Sequence, residues 1–221
     1  MIGQALVPLL LTLKVAGLAT MLTLVFGVAL AYVLARHAFW GKEIVDAVCT
    51  LPLVMPPTVL GYYLIVLIGR RGWIGEWLYQ HLGISLIFTW QGAVLASAVV
   101  AFPLVFKSAR AAFEGVDRQL EGAARTLGAS EPRVFFRVTL PLAWRGILAG
   151  VMLAFARGMG EFGATLMVAG NIPGKTQTLS LAVYDAVEAG RDDLANFLVL
   201  LTSIVCIAVL LASGRLLRPR Y

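Results

Sequence analysis

Apolar residues in this chain neither alternate nor recur on one helical face; they fill long blocks separated by short polar stretches. A hydrocarbon core of about 30 Å is crossed by about 20 apolar residues in a helix. Five blocks reach that length, at residues 9–35, 44–68, 86–109, 142–168 and 194–217. The pattern predicts an all-α, polytopic membrane protein with about five transmembrane helices. Lys14 lies near the outer end of the first block, where its stem can snorkel to the interface. The second block holds Pro52, Pro56 and Pro57, the third Pro103, and the fourth Arg157 and Glu161. In the stretch 171–193 the apolar run Ala182-Val183-Tyr184 is too short to span, and a re-entrant or interfacial helix facing a cavity is expected there. No linker, low-complexity tract or repeat divides the chain, so residues 1–221 read as one transmembrane domain.

The longest polar interruption runs from residue 114 to 141 and reads EGVDRQLEGAARTLGASEPRVFFRVTLP. Helix formers at helical spacing occupy its first part, and Leu127-Gly128-Ala129-Ser130 has the composition of a turn. A second amphipathic stretch, Pro132 to Val138, leads into Leu140-Pro141. The segment therefore predicts a helix-turn-helix between the third and fourth spans. Arg118, Arg125, Arg133, Arg137 and Arg145 make it basic, and basic loops favour the cytoplasmic side. Twelve Lys and Arg residues fall on that side, counting Arg36, Lys42, the segment 107–145 and Arg215, Arg218 and Arg220 of the tail. Four fall on the other: Arg70, Arg71, Lys175 and Arg191. Five spans with this bias put the N-terminus outside and the C-terminus in the cytoplasm, although Arg70-Arg71 runs against the rule.

Composition agrees, with 60% hydrophobic residues, 14% charged residues and a mean hydropathy of +0.86. The net charge of +6 does not imply nucleic acid, because the basic residues cluster beside apolar spans. Cys49 and Cys206 sit in apolar blocks without CxxC or metal spacing, and no disulfide is expected. No basic n-region with a small-residue cleavage site opens the chain, so it is expected to be uncleaved. Enzyme signatures are missing: His37 and His81 lie in different loops, and no HExxH, GxSxG or Walker A sequence occurs. No catalytic residue, metal site or cofactor is expected on this chain. If ATP drives it, the ATP and magnesium belong to another subunit.

Two places inside the blocks could carry a transport pathway. Prolines in LPLVMPPTVLGYY remove backbone donors, and the freed carbonyls need protein or a water-filled cavity. Pro56 and Pro57, with the hydroxyl of Thr58 and the phenol of Tyr62, read as a pathway helix or as a packing kink. In ARGMGEFGA, Arg157 and Glu161 stand four residues apart and can pair along one helix face. They read as a gate or interface lock, or as a structural ion pair at the membrane boundary; Thr165 and Asn171 beyond them join the candidates. Gly146-x3-Gly150 is a small-residue packing motif.

The interruption also resembles the EAA-x3-G-x9-I-x-LP loop with which ABC importer permeases dock on their ATPase subunit. Ala123, Ala124, Gly128, Val138, Leu140 and Pro141 fall on that spacing. Gly122 stands at the acidic position and Glu121 one residue before it. The resemblance extends over nearly the whole chain, to the permease subunits of bacterial molybdate ABC transporters. It is carried by LPLVMPPTVLGYYLIVLIGRRGWIG, LEGAARTLGASEPRVFFRVTLPL and FARGMGEFGATLMVAGNIPGKTQTLSLAVY. It implies the type I importer permease fold and an ATPase-coupling loop in which Glu121, Ala123, Ala124, Arg125, Gly128, Ala129, Val138, Leu140 and Pro141 take part. It also implies a homodimer in the bacterial inner membrane, two cytoplasmic ATPase subunits and an oxyanion-binding protein outside. Molybdate is the implied cargo; sulfate, thiosulfate or tungstate is the alternative within the family. An ion-driven secondary transporter is disfavoured, because the internal repeats common in such carriers are not found.

Overall fold

The computed structural model describes residues 2–217, all helix, turn and loop; Arg218 and Arg220 of the charge count lie outside the described residues. Four long helices frame the molecule: α1 (Ile2–Arg36), α5 (Trp90–Glu114), α8 (Leu140–Met159) and α11 (Asp192–Leu217). Between them come α2 (Lys42–Val54), α3 (Pro57–Ile68), α4 (Trp73–Leu82), α6 (Arg118–Thr126), α7 (Glu131–Val134), α9 (Gly163–Ala169) and α10 (Leu179–Glu188). A π-helical turn, Phe135–Thr139, joins α7 to α8. Among the described residues four helices are long and apolar enough to cross a membrane, and α2 with α3 makes a fifth if that bent pair is one span. Only helices and closed barrels satisfy every backbone group in lipid, which is why such apolar runs fold this way.

α1, α5 and α8 form the centre of the bundle. Their shared core holds Leu34, Phe106, Phe113 and Ile147, all buried. α5 and α8 approach closely through small residues: a Cβ on Gly146 would lie 2.6 Å from the Cβ of Ala112, and one on Gly150 would lie 2.6 Å from that of Ser108. The Gly146-x3-Gly150 motif thus sits at a helix–helix contact. α11 leaves Leu200, Ile204, Ile207 and Leu211 exposed, an apolar surface suited to lipid or another subunit.

Helix boundaries depart from the sequence reading in four places. α1 begins seven residues before the expected residue 9; Pro8 lies inside it, and the hydroxyl of Thr12 donates to the Pro8 carbonyl (2.8 Å). The second block is not one kinked helix but two, bent by 119° at Met55-Pro56, where Met55 is extended and Pro57 opens α3. The fourth block, expected as one helix over 142–168, breaks at residues 160–162. α5 starts at Trp90 rather than 86, because the Thr89 hydroxyl caps it by accepting the Gly92 N–H (3.2 Å). The uncertain stretch 171–193 contains α10, at ten residues too short to cross.

Candidate functional site

Four helix ends and a loop meet at one end of the bundle. α1 ends there at Arg36, α2 begins there, α5 ends at Glu114 and α8 begins at Leu140. Asp46 on α2 accepts from Lys107 (2.6 Å) and Arg110, both on α5, and so ties α2 to the bundle. The loop between α5 and α8 is the predicted helix-turn-helix. Asp117 caps α6 by accepting the Gln119 N–H (2.8 Å). α6 ends after Thr126, and Gly128 takes a left-handed φ of +80°, which glycine adopts without steric cost. The Gly128 and Ala129 N–H groups donate back to the Arg125 and Ala124 carbonyls, closing the turn. Arg125 bridges it with two bonds to Glu131 (2.6 and 3.1 Å), which hold its guanidinium above its ordinary pKa.

Beyond the turn, α7 passes into the π turn, where the Leu140 N–H reaches the Phe135 carbonyl five residues back. Thr139 on this turn is fully buried, and its hydroxyl donates to Glu121 Oε1 at 2.6 Å. Arg36 donates to the same oxygen at 2.7 Å. Glu121 is only 3% exposed, so one carboxylate pins α6 to the end of α1 and to the start of α8. Tyr32 packs edge-on against Phe113 and Phe135, joining α1 to the end of α5 and to the π turn in apolar contact.

Residues off this anchor face outward. Leu127 is 87% exposed, and Leu120 and Phe136 are exposed as well. Ala123 and Pro141 are exposed and Ala124, Ala129, Val138 and Leu140 half-buried. At Gly122, where the motif has its acid, an added Cβ would meet nothing within 4 Å. The departure therefore has a structural content: Glu121 points into the anchor and Gly122 leaves a gap on the small-residue face. The burial of Glu121 and its pairing with Arg36, 85 residues away, carried no signal in the sequence.

The pathway candidates lie elsewhere. α3 packs on α9, where a Cβ on Gly61 would fall 2.6 Å from the Cβ of Met167 and one on Gly163 would fall 3.0 Å from that of Pro57. Pro57 and Gly163 thus meet, and Glu161 and the buried Thr165 stand at the start and middle of α9. Thr58 and Tyr62 are exposed on α3. Pro56, also exposed, marks the bend. Asn171 follows the other end of α9, its Oδ1 buried without a partner. Arg157 and Glu161 do pair, at 2.7 Å, but not along one helix face. Arg157 closes α8, whereas Glu161 sits in the break and its Oε1 accepts the Ala164 N–H (2.9 Å). The carboxylate therefore serves the first turn of α9 as well as the guanidinium. A helix of 20 residues is about 30 Å long, so α8 alone matches the hydrocarbon core.

The family model described as binding-protein-dependent transport system inner membrane component matches residues 23–221. The molybdenum transport system permease protein ModB of Escherichia coli strain K12 is 48% identical over 215 residues, covering 96% of this chain and 94% of that protein. The ModB protein of Haemophilus influenzae is 48% identical over 204 residues, covering 92% and 89%. Among solved structures, the inward-facing MetNI methionine ABC transporter matches 99% of this chain and 96% of its own, with a TM-score of 0.76 at 18% identity, a likeness of fold.

Proposed function

The chain belongs to the binding-protein-dependent transport system inner membrane components, and on that premise we propose that it is the membrane-spanning permease subunit of an ATP-driven molybdate importer. It is a multi-pass inner membrane protein and a transport component. The observation that carries the reading is the pinned helix-turn-helix: a loop buried on one side through Glu121 and presenting Leu120, Leu127 and Phe136 on the other. A loop held rigidly and left apolar outside is built to receive a soluble partner.

That partner is an ATPase subunit, one for each of two permease copies, and it holds the ATP and magnesium. Arg36, Lys42, Lys107, Arg110, Arg118, Arg125, Arg133 and Arg137 gather at this end, which supports placing it in the cytoplasm with the N-terminus outside. An oxyanion-binding protein docks at the opposite end. Its docking, with ATP binding below, alternates the opening of a pathway between the two copies. Within each copy, the broken helices α2–α3 and α8–α9 supply the gate, since bent or interrupted spans are where backbone can face a cavity.

The test is uptake of radiolabelled molybdate into vesicles reconstituted with the chain, its ATPase and its binding protein, competed by sulfate. ATP-dependent uptake is expected, and Gly128→Pro should abolish it while the protein still inserts, because the turn needs the left-handed glycine. Undiminished uptake in that variant would remove the coupling role from the loop. Uptake by the chain alone under an ion gradient would overturn the importer reading.

A further inference from the structure

At the end of the bundle opposite the loop, a cavity of about 590 Å³ opens where α3 ends and α5 begins. Arg70 lines it from the end of α3, Ser85, Ile87 and Phe88 from the approach to α5, and Lys175 from the loop after α9. Both of its charged residues are cations. No carboxylate lines it, and among the described residues neither Arg70 nor Lys175 has an ion pair or a side-chain hydrogen bond. Arg70 is set instead over the Tyr79 ring of α4, 5.3 Å from its centre, which orients the guanidinium without neutralising it. Glu76 of α4 does not line the cavity and accepts from Gln80 (3.0 Å). Lys175 is carried on a tight turn in which the N–H groups of Lys175, Thr176 and Gln177 all donate to the Ile172 carbonyl.

The wall beside these cations is strained. Phe88 has a φ of +59°, the only positive φ outside glycine among the described residues, and its N–H donates to the Val168 carbonyl of α9 (3.0 Å). Its ring lies against Gly170, where an added Cβ would fall 3.0 Å from it. Residues held in such conformations gather at functional sites. The cavity is thereby fastened to the end of α9, beside the α3–α9 contact. Its charges also run against topology: Arg70, Arg71 and Lys175 are three of the four basic residues placed outside. Cations lining a cleft without opposite charge focus a positive potential into it and raise the local concentration of anions.

We propose that this cavity receives a tetrahedral oxyanion dianion, held by the Arg70 guanidinium and the Lys175 ammonium at the outer edge of the α3–α9 contact. Two positive charges match the dianion, and arginine's fork with lysine's point charge suits oxygens spread over a tetrahedron. The volume falls in the ~300–1,000 Å³ of small-ligand sites, which favours a small anion over an acidic side chain of a protein partner. That the oxyanion is the cargo rests on the importer reading; the site itself does not.

The test uses the full-length chain alone in nanodiscs of neutral lipid, with Cys49→Ser, Cys206→Ser and Ser85→Cys as reporter. The reporter reacts with an anionic and with a cationic methanethiosulfonate, each rate taken relative to that of a free thiol. The anionic reagent should be favoured about tenfold or more, and molybdate should slow it more than sodium chloride of equal ionic strength. Both differences should vanish when Arg70→Gln and Lys175→Gln are added, with circular dichroism unchanged. Ile87→Cys, on the same wall, repeats the comparison as a second reporter. Equal relative rates at both reporters would overturn the proposal. So would protection no better than chloride's, or protection that survives the loss of both cations. Weaker docking of the outer binding protein in the charge variants, with no oxyanion protection in their parent, would assign the cations to that protein instead. Failed uptake by the assembled transporter beside intact protection would sink the importer reading and leave the site standing.

Discussion

The two ends of this bundle are held by different physics. At the basic end, side chains from distant parts of the sequence meet in ion pairs: Arg36 with Glu121, and Asp46 with Lys107 and Arg110. Around α3 and α9 the contact is made by absence, with Gly61 and Gly163 letting one helix lie against the other's Cβ atoms. A buried hydrogen-bonded pair fixes one geometry, because any displacement leaves a charge unmatched. A contact between glycine and methylene surfaces is nondirectional and permits small shifts. The difference assigns rigidity to the helix-turn-helix loop and adaptability to the broken helices.

The largest effect should come from breaking the rigid end. Glu121→Ala leaves the Arg36 guanidinium, about nine-tenths buried, without its carboxylate, at a typical cost of ~3–5 kcal/mol. Thermal unfolding of the purified chain should fall accordingly, and ATP-driven uptake with it. Replacing both partners by apolar residues, Arg36→Met with Glu121→Leu, should restore most of the stability. Unfolding unchanged in the single variant would mean that the anchor does not hold.

Next comes Glu161→Ala, which removes the group serving both Arg157 and the Ala164 N–H. Because Arg157 is more than a third exposed, the ion pair counts for less than the lost cap, and the expected loss is about 1 kcal/mol. The double change with Arg157→Ala should cost little more than the single one. Additive single effects would show two independent charges.

Gly61→Ala is the corresponding probe of the adaptable contact. Its methyl would meet the Met167 Cβ at 2.6 Å and the Ala164 Cα at 3.2 Å, neither at the flexible end of a side chain, so α3 and α9 must move apart to admit it. Overpacking of this kind typically costs ~1–3 kcal/mol. A fall in uptake greater than the fall in unfolding temperature would place the motion at this contact. At the bottom of the scale, Arg125→Ala removes only an exposed bridge across the turn, and thermal unfolding should not move.

The rigid end was largely legible in the sequence. Gly128, Asp117 and the charge run are local signals, and each determines its own turn or cap. Its anchor was not, since nothing local couples Arg36 to a glutamate 85 residues on. The adaptable end was read less well for the opposite reason. GMGEFGATLMV is apolar enough to look continuous, and the i, i+4 spacing of Arg157 and Glu161 suggested an unbroken helix face, while the carboxylate in fact begins a new helix. Likewise Pro56-Pro57 announced a bend but not its size of 119°, which is set by what α3 packs upon. The first block was read from residue 9 on its apolar run, whereas α1 begins at Ile2 with Pro8 inside it.

The run from Glu131 to Met159 is 29 residues of continuous helix, about 43 Å at 1.5 Å per residue. In mechanical terms it is a connecting rod. Its one compliant joint, the π turn at 135–139, lies next to where a load from the loop would enter, and its far end stops at the break before Glu161. A push taken up by that joint goes no further. What that joint does not absorb is carried along α8 to the break before Glu161.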